Sequence, residues 1–245
     1  MKELQSEFRV INSGRNNAKN NMATDEALLS CYENEEQAIL RVYYWNKSFT
    51  IGISQDFETY SYLKEYTDFA KRITGGGVLF HGHDISYSLV IPTVFLKDLT
   101  IKKSYEFICQ FILNFYKKLN LDANYAKDCS DITLSKSDFC QVGFEAYDII
   151  VNGKKIGGNA QRRTKKAIFQ HGSIPLESLN NSFDKKIGTT LKEFDINLDY
   201  KKACLLLIEA FNETFNVHLI DSKLTKKEEN KKNQLLKDKY DYCRK

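Results

Sequence analysis

Proline is nearly missing from this chain, with only Pro92 and Pro175 in 245 residues. Since there is no Gly/Ser-rich linker and no internal repeat either, nothing divides the first 220 residues into separate units. The six cysteines form no CxxC pair and no grouping with histidine at zinc-finger spacing. A disulfide framework and a structural metal are therefore both weak readings. No stretch approaches the roughly 18 consecutive apolar residues of a membrane-spanning helix, and the opening MKELQSEFRV lacks the apolar core of a secretion signal. The expectation is a cytoplasmic protein with no membrane partner. A strong charge of one sign is lacking too, the formal net charge being +4. Residues 223–245 alone hold nine Lys or Arg against four acids, so the rest of the chain is slightly acidic. That distribution argues against a nucleic-acid partner. It reads as a basic C-terminal tail, a solvated helix or frayed end, with docking onto an acidic carrier as the minor reading.

What is present is the material of a globular core, 42% hydrophobic and 13% aromatic. NNMATDEALLSCYEN at 20–34 has the composition of a first helix, and short β-rich runs follow at 39–45, 49–53 and 69–73. In ISYSLVI, Ile85, Tyr87, Leu89 and Ile91 alternate strictly, which predicts a half-buried strand. Thr100 is placed to cap a helix whose Ile101, Tyr105, Ile108, Ile112, Phe115 and Leu119 step by four and three. Cys204, Ile208, Phe211 and Phe215 repeat that spacing, which makes Cys204 buried filling. Between these helices AYDIIV at 146–151 meets KKI at 154–156 across Asn152-Gly153, a dipeptide suited to a two-residue hairpin turn. A strand-like AIFQHGSIPL follows at 167–176. Strands and helices in this irregular order predict a mixed α/β domain with helices packed on a sheet.

Two segments carry no obvious packing role. K71-R-I-T-G-G-G-V-L-F-H81 puts three consecutive glycines between β-like runs, where the backbone turns sharply or meets a ligand with its N–H groups exposed. It matches neither common nucleotide-binding glycine pattern, and a plain hairpin turn stays open. V151-N-G-K-K-I-G-G-N-A-Q-R-R163 is a lysine-bearing hairpin followed by Gly157 and Gly158, small residues that let a substrate lie against the backbone. Gln170-His171-Gly172 lies in the next strand-like run, where a lone histidine is more often structural than catalytic.

In order and spacing, these segments closely resemble the biotin/lipoate protein ligase and lipoyl/octanoyl transferase superfamily. Its R-R-x-T/S-G-G-G-x-x-x-H, G-K-K-I-x-G-x-A-Q-R and Q-H-G segments read here as Lys71–His81, Gly153–Arg162 and Gln170–Gly172. The N-M-A-x-D-E-A run at 21–27 and I-G-I-S-Q at 51–55 also look like early motifs of the family. Lys71 stands for the usual first arginine, and Gly158-Asn159 for the commoner step. The resemblance, over roughly 7–215, implies an α/β domain related to class II synthetases, with a catalytic domain over 1–220 and the basic tail over 221–245. It implies an acyl tunnel beside the glycines, Lys155 as the catalytic lysine, and Arg72, Gly75, Gly76, Gly77, His81, Gly157, Gly158 and His171 around the substrate.

Two chemistries share that scaffold. A transferase moves an octanoyl or lipoyl group from an acyl-carrier protein to a lysine of a lipoyl domain, such as the glycine-cleavage H protein or a 2-oxoacid dehydrogenase subunit, and in one branch a cysteine holds the group as a thioester. A ligase activates lipoate with ATP and Mg first. Cys140, fourteen residues before Lys154, matches the position of the branch nucleophile, although Gln141 replaces the usual phenylalanine; a small apolar filler is the plainer reading. Only 25 residues follow position 220, which favours the transferase over ligases with a further C-terminal domain. That choice needs no cofactor and no metal. A cysteine at a pKa of about 8.5 is roughly 3% thiolate at pH 7, and a nearby Lys155 ammonium is expected to raise that fraction. His171 is a candidate to take the proton of the attacking lysine. Replacing Lys155 by alanine is expected to leave the fold intact, because a polar hairpin residue contributes little to a core.

Overall fold

The computed structural model describes residues 7–33, 37–63, 66–179 and 187–241. Among these residues eleven strands and four α-helices run in the order β1 (Glu7–Asn16), α1 (Ala18–Cys31), β2 (Ala38–Trp45), β3 (Ser48–Ile51), β4 (Phe69–Lys71), β5 (Leu79–His81), β6 (Asp84–Pro92), α2 (Ile101–Lys118), β7 (Ala123–Tyr125), β8 (Ile149–Val151), β9 (Lys154–Arg163), β10 (Ala167–Pro175), α3 (Tyr200–Phe215), β11 (His218–Asp221) and α4 (Lys226–Asp238). Eight strands form one mixed sheet in the order β11-β1-β2-β6-β10-β9-β8-β7, and three form a small second sheet, β4-β3-β5. The mixed α/β class expected from the sequence is what the chain adopts.

Strand alternation assigns the two faces of the large sheet different jobs. Phe8, Leu40, Val42, Ile85, Tyr87, Leu89 and Ile174 pack with Ile108, Phe111, Phe115, Leu207 and Phe211 of α2 and α3 into the main core. Each such large apolar side chain contributes on the order of 1.5–3 kcal/mol by leaving water. Thr100 does cap α2, its side chain accepting from the Lys103 N–H, and Cys204 is fully buried. Ile101, counted on the buried face by its spacing, is instead 61% exposed in the first turn.

The opposite face carries polar side chains under α1 and the small sheet. Here the half-buried prediction for β6 is corrected, since all nine residues from Asp84 to Pro92 are buried. Ser86 accepts a hydrogen bond from Trp45 Nε1 at 2.9 Å, and Ser88 donates to Asp25 of α1 at 2.7 Å. Their polarity marks a network, not solvent.

Asn152 and Gly153 have φ of 48° and 74° and turn the β8–β9 hairpin as their dipeptide predicts. The C-terminal segment departs from a solvated tail. β11 adds to the sheet edge parallel to β1, and Leu235 and Tyr240 are buried against Ala18, Met22, Ala23 and Ala27 of α1. Arg9 grips Glu228 with both guanidinium nitrogens, at 2.8 and 2.9 Å. Among the described residues no helix is long and apolar enough to cross a membrane.

Candidate active site

The turn between β4 and β5 lies directly on the long connection between β7 and β8. A Cβ on Gly77 would stand 2.4 Å from the Asp138 carbonyl oxygen, so only glycine allows the approach. Val78 N–H donates to Asp138 O at 2.7 Å and Cys140 N–H donates to Val78 O at 2.8 Å. Cys140 is thus fastened by its own backbone to the end of the glycine turn. From the other side comes β9, where a Cβ on Gly158 would lie 3.8 Å from Cys140 Sγ. A Cβ on Gly76, which has a φ of 103°, would also lie 3.8 Å from that sulfur. The triple-glycine turn and the lysine hairpin therefore converge on one thiol.

A cavity of about 340 Å³ opens at this junction. Of the residues named from sequence, Arg72, Gly75, Gly76, Gly77, His81, Cys140, Lys155, Gly158 and His171 line it. Met22, Tyr43, Trp45, Leu79 and Phe139 supply its apolar and aromatic surface. Gly157 is not on the wall; its missing Cβ makes room for the Ser173 carbonyl and the Tyr116 hydroxyl.

Lys155 is not a solvated hairpin lysine. It is 4% exposed, and its ammonium donates to the carbonyls of Cys140 at 2.6 Å and Gly143 at 2.7 Å, with Asp148 Oδ2 at 2.5 Å. Lys154, one residue earlier, is the exposed member of the pair. Asp148 also accepts from the Glu145 N–H at 2.6 Å, so this lysine and carboxylate tie down both ends of the segment 140–148. Burial pushes the Asp148 carboxyl above its usual range despite Lys155. Burial likewise pushes the Cys140 thiol up, outweighing the opposite pull of Arg72 and Lys155. Lys155 pulls the thiol toward its ionised form as expected, but desolvation is the larger effect, and Asp148 faces the same lysine.

Two histidines are held by carboxylates that the sequence reading did not single out. His171 Nε2 is 2.7 Å from the Thr74 hydroxyl, and Nδ1 is 3.7 Å from Asp25. Burial lowers the His171 pKa more than Asp25 raises it, so the ring is neutral at pH 7. Asp25, fully buried, also meets Arg41 at 2.7 Å and the Tyr43 hydroxyl at 2.8 Å. Burial alone would raise its carboxyl; Arg41, His171 and Ser88 bring it below its usual value. His81 bridges Asp84 and Thr50, each at 2.9 Å, and stacks on Trp45 with ring centroids 3.7 Å apart. Asp25 sits within the N-M-A-x-D-E-A run, which was the available signal. Asp148 was legible only through register, because Ile150 faces Lys155 across the hairpin and Asp148 stands two residues before it.

Among the described residues no group of three or more His, Cys, Asp or Glu side chains is arranged to hold a metal ion. The arrangement offers instead a thiol beside two buried cations, in a cavity with an apolar portion.

The chain is similar to known proteins. The chain is 30% identical over 265 residues to the octanoyltransferase LipM of Anoxybacillus flavithermus, spanning 96% of this chain and 95% of that one. It is 31% identical over 266 residues to the LipM octanoyltransferase of Bacillus cereus, covering 94% of each. In three dimensions it resembles lipoate-protein ligase A bound with ATP at a TM-score of 0.77 and 24% identity, over 96% of both chains. A bi-partite lipoate protein ligase from Thermoplasma acidophilum, solved with its E2 lipoyl domain, matches at 0.72 and 20% identity, over 97% of this chain and 94% of the other. The model of the lipoyl protein ligase A/B catalytic domain matches residues 17–195. With the glycine turn, the hairpin lysine and the Gln-His-Gly strand meeting at one cavity, the chain belongs to the lipoyl protein ligase A/B catalytic domain family and is an acyl-transferring enzyme.

Proposed function

We propose that the protein transfers an octanoyl group from an acyl-carrier protein to a lysine of a lipoyl domain, through a thioester on Cys140. The observation that carries this reading is the position of the Cys140 sulfur, between Gly76 and Gly158 on the cavity wall. The naming of relatives at 30–31% identity as octanoyltransferases supports it.

In the first step Cys140 Sγ attacks the thioester carbonyl of the donor. A new S–C bond forms, the donor's S–C bond breaks, and the donor sulfur leaves with the proton that Cys140 gave up. In the second, the acceptor lysine nitrogen forms an amide bond with the acyl carbon, and Cys140 is released and takes back a proton. The apolar portion of the cavity, with Met22, Tyr43, Trp45 and Leu79, suits the hydrocarbon chain. Among the described residues no acceptor bonds the backbone N–H groups of Gly75, Gly76 or Gly77, which leaves them as donors for the oxyanion in each step.

The acceptor amine must lose a proton to react. At a pKa near 10.4, reaching its neutral form at pH 7 requires about 4.6 kcal/mol. His171, neutral and beside Asp25, is the proton acceptor on this wall. No cofactor enters this scheme.

The test incubates the purified protein and an apo lipoyl domain with either octanoyl-acyl-carrier protein without ATP, or lipoate with ATP and Mg. Octanoylation of the domain from the carrier alone is the expected result. Modification only with lipoate and ATP would assign the chain to ligation instead.

A further inference from the structure

Two cations face Cys140, and their surroundings differ. Lys155 spends its charge on Asp148, 2.5 Å away, and its remaining protons on the carbonyls of Cys140 and Gly143. Arg72 is also buried, at 4% exposure, but its partners are all neutral: the Thr50 hydroxyl at 2.8 Å, Gly77 O at 2.6 Å and Gly75 O at 3.4 Å. Among the described residues no carboxylate pairs with it. Its Nη2 and the Cys140 sulfur lie 3.0 and 3.8 Å from one point, the place a Cβ on Gly76 would occupy. A buried cation without an anion is costly unless an anion comes to it.

We propose that Arg72 is the cation that stabilises the Cys140 thiolate, and that Lys155, neutralised by Asp148, acts as the clamp that fixes the segment 140–143. This rests on Cys140 being the nucleophile of the transfer reaction. Arg72 follows β4, and its guanidinium and the sulfur both flank the space that a side chain at Gly76 would fill. The other charged groups facing the thiol are Lys155 from β9 and Asp148 and Glu145 from its own connection; the two acids oppose ionisation. His171 and His81 line the same cavity. The planar guanidinium, fixed by three oxygens, keeps its charge at any working pH, whereas a lysine gripped by a carboxylate presents little net field.

The experiment measures the iodoacetamide alkylation rate of Cys140 against pH, read by mass spectrometry of the peptide that carries it. The wild-type chain is compared with Arg72→Gln, Arg72→Lys and the paired variant Lys155→Met/Asp148→Leu. Arg72→Gln is expected to slow alkylation at pH 7 at least about tenfold, the effect of one pKa unit, and to move the profile to higher pH. Arg72→Lys, which keeps the charge, restores most of the rate, which a purely structural role for the guanidinium would not predict. The paired variant shifts the profile by less than Arg72→Gln. An unchanged profile in Arg72→Gln, or a larger shift in the paired variant, overturns the proposal. Because alkylation reports the thiol directly, the result stands apart from octanoyl transfer: a Cys140→Ala protein that still transferred would defeat the functional reading and leave this measurement intact.

Discussion

The ammonium of Lys155 lies 2.5 Å from Asp148 Oδ2, with both side chains at most 5% exposed. The pair joins the start of β8 to β9 and, through the Cys140 and Gly143 carbonyls, holds the thiol-bearing segment in place. Removing one partner leaves the other buried without a counter-charge, which in proteins destabilises by about 3–5 kcal/mol. Lys155→Ala is therefore expected to lower the unfolding free energy by about that amount, contrary to the small effect a hairpin-surface lysine would have. The double variant Lys155→Met/Asp148→Leu recovers most of the stability without recovering transfer. Urea unfolding of the three proteins checks this; equal stabilities for Lys155→Ala and wild type would contradict it.

Two of the three glycines, Gly75 and Gly77, are predicted to behave differently on substitution. A Cβ on Gly75 meets nothing within 4 Å, so Gly75→Ala leaves the fold unchanged and reports only on the cavity. On Gly77 the same atom collides with the Asp138 carbonyl at 2.4 Å. Gly77→Ala should pull Cys140 off its bond to Val78, lose transfer and destabilise by roughly 1–3 kcal/mol, the usual range for overpacking. Thermal unfolding and transfer assays on the two variants check the contrast.

Stability should fall with acidity in two windows. His171 has its pKa lowered on folding, so it contributes stability that is present above its unfolded value of about 6.5 and is lost as pH falls through the folded value. Asp25 is depressed as well, so its contribution is present above about 3.9 and is lost at lower pH. The denaturation midpoint is expected to drop between pH 7 and 5, and His171→Gln should flatten that limb. A midpoint that rises on acidification in the wild type has the wrong sign for this account.

The thiol predicts a slope of the same sense at higher pH, in rate rather than in stability. Burial holds Cys140 above the ordinary cysteine range, so its thiolate fraction climbs through about pH 8.5 and beyond. Single-turnover acyl-enzyme formation should rise steadily from pH 7 to 9. A rate already flat at pH 7 would mean an acidic thiol.

Much of this was legible in local pattern. The Asn152-Gly153 turn, the Thr100 cap and the α3 spacing are written in adjacent residues, and the three motif segments contain half of the residues on the cavity wall. What escaped depended on distant partners. Alternation in Ile85–Ile91 identified the apolar face of β6 but carried no sign that Ser86 and Ser88 would be covered by Trp45 and Asp25. β11 and α4 are fixed by residues such as Arg9, 219 positions from Glu228, a pairing that no periodicity exposes. The burial of Lys155 follows from a carboxylate across the turn and two carbonyls on a separate connection, none of which its own neighbourhood announces.

The most direct test of a thioester on Cys140 is the mass of the intact protein after brief exposure to octanoyl-acyl-carrier protein, with no ATP and no acceptor. The predicted result is a gain of one octanoyl group that maps to the Cys140 peptide, is released by hydroxylamine and is absent from Cys140→Ala. Octanoylation of an acceptor domain by Cys140→Ala at the wild-type rate, with no adduct on the wild-type chain, would contradict it.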